Sequence, residues 1–220
     1  MQKLNLNNLN KVYSKLNLNQ RISRLYEDFS IDEIMLTSSF AASSAMLLKL
    51  FSDVNKNQLI YFIDTRYHFK DTLIYKEYLT KLYGLNVKDV KADKINHNET
   101  KINKTWIENP NSCCNINKVS PLEKLKSNYK IWVSGLMKWQ SDNRSTLNFF
   151  EQRNGIVKFY PLLDVTQQER SLFIKEHHLP FHPLISKGYF SIGCAQCTKP
   201  GEDREGRWNN NPKTECGLHL

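Results

Sequence analysis

Nowhere in these 220 residues do 18 apolar positions run together, and the opening Met1-Gln2-Lys3-Leu4-Asn5-Leu6-Asn7 has no apolar stretch of signal-peptide length. A membrane span and an export signal are therefore not expected, and the reading is a soluble, cytoplasmic protein with no membrane partner. Basic residues outnumber acidic ones, 31 to 22, for a net charge of +9, yet no basic run of five or more occurs. Without such a run no nucleic-acid partner is expected; the lysines read as a solvated surface, and the positive field also suits a small anionic substrate. No internal repeat is present. With 40% hydrophobic and 24% charged residues the chain has enough apolar material for a packed core. Cysteine is scarce, at five residues, and in a reducing compartment paired cysteines point to metal or redox chemistry before disulfides.

What is present is an alternation of periods. Residues 4–29 read as one or two polar-rich helices. Ile34 to Ser39 reads as a strand ending in hydroxyls, and Ala41 to Phe51 as a helix with Ala45, Met46 and Leu48 on its apolar face. Leu59 to Thr65 is a continuous apolar run closed by polar residues, as in a buried parallel strand. Asp71 to Tyr83 reads as a helix capped by Gly84. Further strands are expected at Asn86–Lys91, Lys130–Gly135 and Ile156–Leu163, and a helix at Thr166–His177. The fold class is α/β with a mainly parallel sheet. Residues 1–185 form its body with N-terminal helices, and 186–220, where Gly, Pro, Asn, Cys and charges take over, form a functional segment of the same unit. Ligands of such sheets sit beyond the strands' carboxyl ends. The strand-end residues Ser38, Ser39, Phe40, Asp64, Thr65 and Gly135 are therefore candidates for substrate binding, the serine turn as an anion site.

The five cysteines are distributed informatively. Cys113 and Cys114 are adjacent, Cys194 and Cys197 form C-x-x-C, and Cys216 stands near the end with Glu215 before it and His219 after. The four paired thiols admit three readings: disulfides, a four-thiolate zinc site, or a [4Fe–4S] cluster. Zinc asks two adjacent residues to fill neighbouring corners of one tetrahedron, whereas a cube lets each thiolate take its own iron. Lys118 follows Cys114 by four positions and can sit beside such a centre. Cys216 has Arg204, Arg207 and Lys213 nearby, and cations favour a thiolate; the plain alternative is an ordinary tail cysteine.

Several segments resemble one family. Cys113-Cys114-Asn115-Ile116-Asn117-Lys118-Val119-Ser120-Pro121-Leu122 is similar to the CC-x-x-x-K-V-x-P-L stretch of assimilatory sulfonucleotide reductases of the iron–sulfur type. Gly188 to Thr198, Arg204 to Trp208 and Lys213 to His219 resemble that family's G-Y-x-S-I-G-C-x-x-C-T, R-x-G-R-W and K-x-E-C-G-L-H segments. Arg66 stands where the family usually has glycine. Met137 replaces the first arginine of a loop in which Arg144 matches the last. The resemblance implies an adenine-nucleotide hydrolase-like fold and a [4Fe–4S] cluster on Cys113, Cys114, Cys194 and Cys197. It further implies phosphosulfate binding by Lys118, Arg144, Arg204 and Arg207, and catalysis by Cys216 and His219. The implied reaction is reduction of adenylyl sulfate to sulfite and AMP through an S-sulfocysteine, in sulfate assimilation. The implied reductant is thioredoxin or a glutaredoxin-like dithiol, and a homo-oligomer is compatible with the pattern. The alternatives are a reductase of 3′-phosphoadenylyl sulfate, and a catalytically silent nucleotide-binding module with a structural metal clip.

Overall fold

The computed structural model describes residues 4–202, 204–208, 213 and 215–218. Two amphipathic helices come first, α1 (Leu6–Tyr13) and α2 (Leu18–Asp28), the second opened by a reciprocal Asn17–Gln20 cap. Then β1 (Ile34–Thr37), α3 (Ser44–Val54), β2 (Leu59–Ile63), α4 (Lys70–Tyr83) and β3 (Asn86–Val90) alternate. Gly84 closes α4 in the left-handed region at φ 62°, a conformation that glycine adopts without a Cβ penalty. A long crossover follows, with α5 (Lys94–Ile102), α6 (Thr105–Glu108), α7 (Pro110–Cys114), a π-turn over Asn115–Val119, and α8 (Ser120–Lys126). It leads to β4 (Ile131–Val133), the short α9 (Asp142–Ser145), the hairpin β5 (Phe150–Arg153) and β6 (Ile156–Phe159), and α10 (Gln167–Glu176).

The strands form one sheet in the order β3-β2-β1-β4-β6-β5, parallel except where β5 pairs antiparallel with β6. Alternation within the strands splits the core between the two faces. Leu36, Ile60, Phe62, Ile131, Val133, Val157 and Phe159 face α1–α4 and α10. Met35, Tyr61, Trp132 and Ile156 face α8 through Leu122, and Leu218 of the tail packs there too. Both faces are thus covered, as parallel sheets require.

The α/β reading stands. Helix α3 begins three residues later than expected, at Ser44, because residues 41–43 form a turn in which the Ser44 amide donates to the Ala41 carbonyl at 3.0 Å. The strand expected to begin at Ile156 proves to be the second arm of a hairpin whose first arm, β5, was not anticipated. The helices of the long crossover were not assigned either.

Strand order reverses at β1, which has β2 on one side and β4 on the other. Such a switch point leaves a crevice beyond the strand ends. Here it opens between Thr37-Ser38 and Ser134-Gly135.

Candidate active site

A cavity of about 230 Å³ occupies that crevice. Its floor is the serine turn and the end of β4: Ser38, Ser39, Ser134 and Gly135. Gly135 has little room beside it, since a Cβ there would sit 3.2 Å from Leu47 Cδ2. Its far wall carries Lys118, Arg144, Arg204, Arg207 and Cys216. Residues from four distant stretches therefore meet around one space that has hydroxyls on one side and cations on the other.

A second, much smaller cavity, about 10 Å³, lies behind that wall. All four paired cysteines line it, with Tyr67, Trp106, Pro110 and Trp208 as its apolar sides. Cys113 and Cys114 end α7, and Cys194 and Cys197 flank a single 3₁₀ turn in which the Cys197 amide donates to the Cys194 carbonyl at 3.0 Å. Asn117 fixes the first pair: its amide donates to the Cys113 carbonyl at 3.0 Å and to Thr100 Oγ1 at 3.1 Å. The second pair is fixed through the Ala195 amide, which donates to the Tyr67 carbonyl at 2.7 Å. Burial pushes the Cys113 thiol up to about 11, with Cys194 and Cys197 adding to the rise. Among the described residues no three His, Cys, Asp or Glu side chains converge as ligands of a single ion would. The donors are thiols with no carboxylate among them, walled by apolar rings, and this soft set fits an iron–sulfur group.

Lys118 and Arg207 line both cavities. The π-turn turns Lys118 toward this wall, and π-turns recur at functional positions. Burial opposes its charge, but the sulfurs of Cys194, Cys216 and Cys114 outweigh that and hold the amine protonated. The Arg207 guanidinium stacks on Trp208 at 4.4 Å, and its Nε–H is buried with no partner among the described residues. It lies directly over Gly193, where any Cβ would overlap it.

The tail is docked by a buried carboxylate. Glu215 accepts from Arg144 Nε at 2.7 Å and Nη2 at 2.9 Å, from Arg204 Nη2 at 3.1 Å and from Ser141 Oγ at 2.9 Å. Burial pushes Arg204 down to about 10, with Arg144 beside it pushing the same way, so it stays charged near neutrality. Burial raises the Glu215 carboxyl, but the two arginines and Ser141 win and hold it ionised. Cys216, half-buried, thereby faces the cavity. Cys216 lies beside Cys114, and Lys118, the Leu218 amide and Arg207 favour its thiolate against burial.

Of the expected substrate residues, Ser38, Ser39, Gly135, Lys118, Arg144, Arg204 and Arg207 are brought together with Cys216. Three are not. Phe40 is fully buried, packed edge-on against Phe62 at 5.6 Å, and its φ of 49° turns the serine loop. Asp64 accepts from the Arg66 amide at 2.8 Å and pairs with Lys91 at 3.1 Å. Thr65 borders the thiol cavity, its Oγ1 3.3 Å from Cys194 Sγ. The serine turn suggested substrate contact for Phe40 and strand-end position suggested it for Asp64 and Thr65; in the structure Phe40 packs in the core, Asp64 closes a turn and Thr65 borders the cysteines. His219 lies outside the described residues. Sequence reasoning missed His68, which lines the large cavity, forms a bridge with Cys194 and is pushed by burial down to about 4, hence neutral. It also missed the docking role of Glu215.

The model of the phosphoadenosine phosphosulfate reductase domain matches residues 33–200. The chain belongs to that family. Curated relatives include the adenosine 5′-phosphosulfate reductases of Bacillus mycoides (strain KBAB4), 37% identical, and Bacillus cereus (strain Q1), 38% identical, each alignment covering 90% of this chain and 88% of the relative. The phosphoadenylyl-sulfate reductase of Candida auris has a TM-score of 0.76 at 22% identity over 90% of this chain and 98% of its own. The Candida glabrata FMN adenylyltransferase, at 0.57 and 16% identity over 89% and 73%, shares the sheet but not the sequence. Among the described residues no helix of this family member is long and apolar enough to cross a membrane.

Proposed function

We propose that the chain reduces adenosine 5′-phosphosulfate to sulfite and AMP, by way of an S-sulfonated Cys216, in a reducing cytoplasm. The observation that carries this reading is the placement of Cys216 in the same cavity as the serine turn and Lys118, Arg204 and Arg207. The nucleotide lies over the strand ends, with its phosphosulfate toward the cationic wall. The Cys216 thiolate attacks the sulfur, the S–O bond to phosphate breaks, and AMP leaves with the electron pair. A dithiol protein of the thioredoxin class then attacks Cys216 Sγ, sulfite departs, and the second thiol of that protein restores the free cysteine. Both electrons come from the dithiol. Lys118 and Arg207 neutralise the charge that develops on the bridging oxygen, which is where fixed charge lowers a barrier most.

The residues of the smaller cavity fit a [4Fe–4S] cluster held by Cys113, Cys114, Cys194 and Cys197. When bound, it supplies a charged anchor that orients Lys118 and leaves electron delivery to the dithiol. Anaerobic protein should then contain about four irons per chain, and stoichiometric zinc without iron would remove this part of the reading.

The choice of adenylyl sulfate rests on the names of the relatives at 37–38% identity. A second reading, reduction of the 3′-phosphorylated nucleotide, draws on the serine turn, which has no acid to repel a further phosphate, and on the name of the Candida auris neighbour. Steady-state kinetics with both nucleotides decide it. The expected result is a higher kcat/KM for adenylyl sulfate; a tenfold preference the other way, about 1.4 kcal/mol of transition-state binding, would reverse the assignment.

A further inference from the structure

Lys158 is a costly residue for which the reaction described above has no use. It lies in the middle of β6, is 1% exposed, and shares a sheet face with Trp132, its register partner on β4. Burial pushes its amine down to about 8. A buried amine without a carboxylate is unfavourable unless hydrogen bonds and ring faces replace the lost water. Among the described residues no carboxylate pairs with it, and its cross-strand neighbour Glu151 is taken by Arg153 at 2.8 Å. What Lys158 does have is specific. Its Nζ lies 4.4 Å from the Trp132 ring centroid and donates to the Leu218 carbonyl at 2.6 Å.

Leu218 is two residues past Cys216. Its side chain packs with Met35, Tyr61, Leu122, Trp132 and Ile156, and its amide donates to the Cys216 sulfur. Gly217 between them is closely approached, since a Cβ would come 3.1 Å from Val119 Cγ2. The tail is therefore pinned on both sides of the thiol. Glu215 holds the near side on Arg144 and Arg204, and Leu218 holds the far side on the sheet, where Lys158 supplies the polar contact.

We infer that Lys158 is a positioning residue for the catalytic tail: through the Leu218 carbonyl it seats Cys216 at the cavity. The inference rests on the reading of Cys216 as nucleophile, and the two are separable by experiment. The test uses iron-loaded Lys158→Met, which keeps the length and apolar stem but removes the donor, together with Lys158→Arg, which keeps a cationic donor.

Alkylation of Cys216 by iodoacetamide, mapped by mass spectrometry without substrate, reports the tether alone. It should accelerate at least about fivefold in Lys158→Met, because a segment released from its tether samples open states, and return toward wild type in Lys158→Arg. In the same methionine variant kcat should fall by about fivefold or more, with AMP affinity and KM nearly unchanged. Unchanged alkylation overturns the inference, and so does a loss of AMP affinity that parallels the loss of kcat, since that marks a general disturbance of β6. Faster alkylation with an unmoved kcat leaves the tether standing and overturns the nucleophile reading. Should the methionine form not fold, Lys158→Gln, with a shorter donor, must show the same acceleration, and its absence overturns the inference.

Discussion

The two cavities differ in almost everything except the wall between them. One is about 230 Å³, floored by hydroxyls and strand ends, and faced by cations. The other is about 10 Å³, enclosed by rings, and lined by four thiols. Lys118 and Arg207 belong to both. The contrast teaches that the thiol centre need not touch the nucleotide to matter. Lys118 and Arg207 border the thiols on one side and the larger cavity on the other, which is where the proposed anionic substrate would meet them. On this account the smaller cavity is electrostatic scaffolding and the larger one does chemistry.

The comparison can be broken at four points. Cys194→Ser should have the largest effect, because one change removes a thiol and the contact that Thr65 makes with it. Iron, colour and thermal stability should fall together, as metal binding and folding are coupled; iron retained in full would detach this cysteine from the centre. Lys118→Met removes the shared cation. Loss of one preorganised donor costs about 10²–10³ in kcat, with iron content intact; near-normal turnover would mean that the two cavities are independent.

Glu215→Gln acts on the larger cavity only. Breaking a buried ion pair typically costs about 3–5 kcal/mol, and if 1.4 kcal/mol of that reaches the tail, its docked population drops about tenfold. Sulfite release should fall accordingly while AMP binding holds, and unchanged turnover would show that the tail docks without its carboxylate. Gly193→Ala should act on KM rather than on turnover. The new methyl displaces the Arg207 guanidinium, so KM for the nucleotide should rise by a factor of about ten, with the iron unaffected. An unaltered KM would return Arg207 to a structural role on Trp208.

How far the chain could be read beforehand differs between its parts. The central strands were legible because Leu59–Ile63 and its neighbours are buried on both faces and read as apolar runs. The four cysteines were legible from their spacing. Strand β5 was not, because Phe150-Glu151-Gln152-Arg153 lies at an edge and carries charge; yet Asn154-Gly155, both at positive φ, is a strong hairpin signal and was available. The crossover helices were hidden by their shortness.

Phe40 was assigned with the serine turn, and Asp64 and Thr65 with the end of their strand; neither position says which way a side chain turns. Thr65 turns to the thiols because residues 67 and 68 bond to the Cys194 segment more than 120 positions away. The partnerships of Glu215 with Arg144 and of Leu218 with Lys158 span 71 and 60 positions. No local pattern encodes such pairs.

The most direct test of the account is to incubate the iron-loaded protein with adenylyl sulfate and no reductant, then map the products by mass spectrometry. One sulfonate should appear on the peptide containing Cys216, with one AMP released per adduct, and a dithiol protein should discharge it as sulfite. An adduct on any other cysteine, or steady sulfite formation with Cys216 unmodified, would contradict the account.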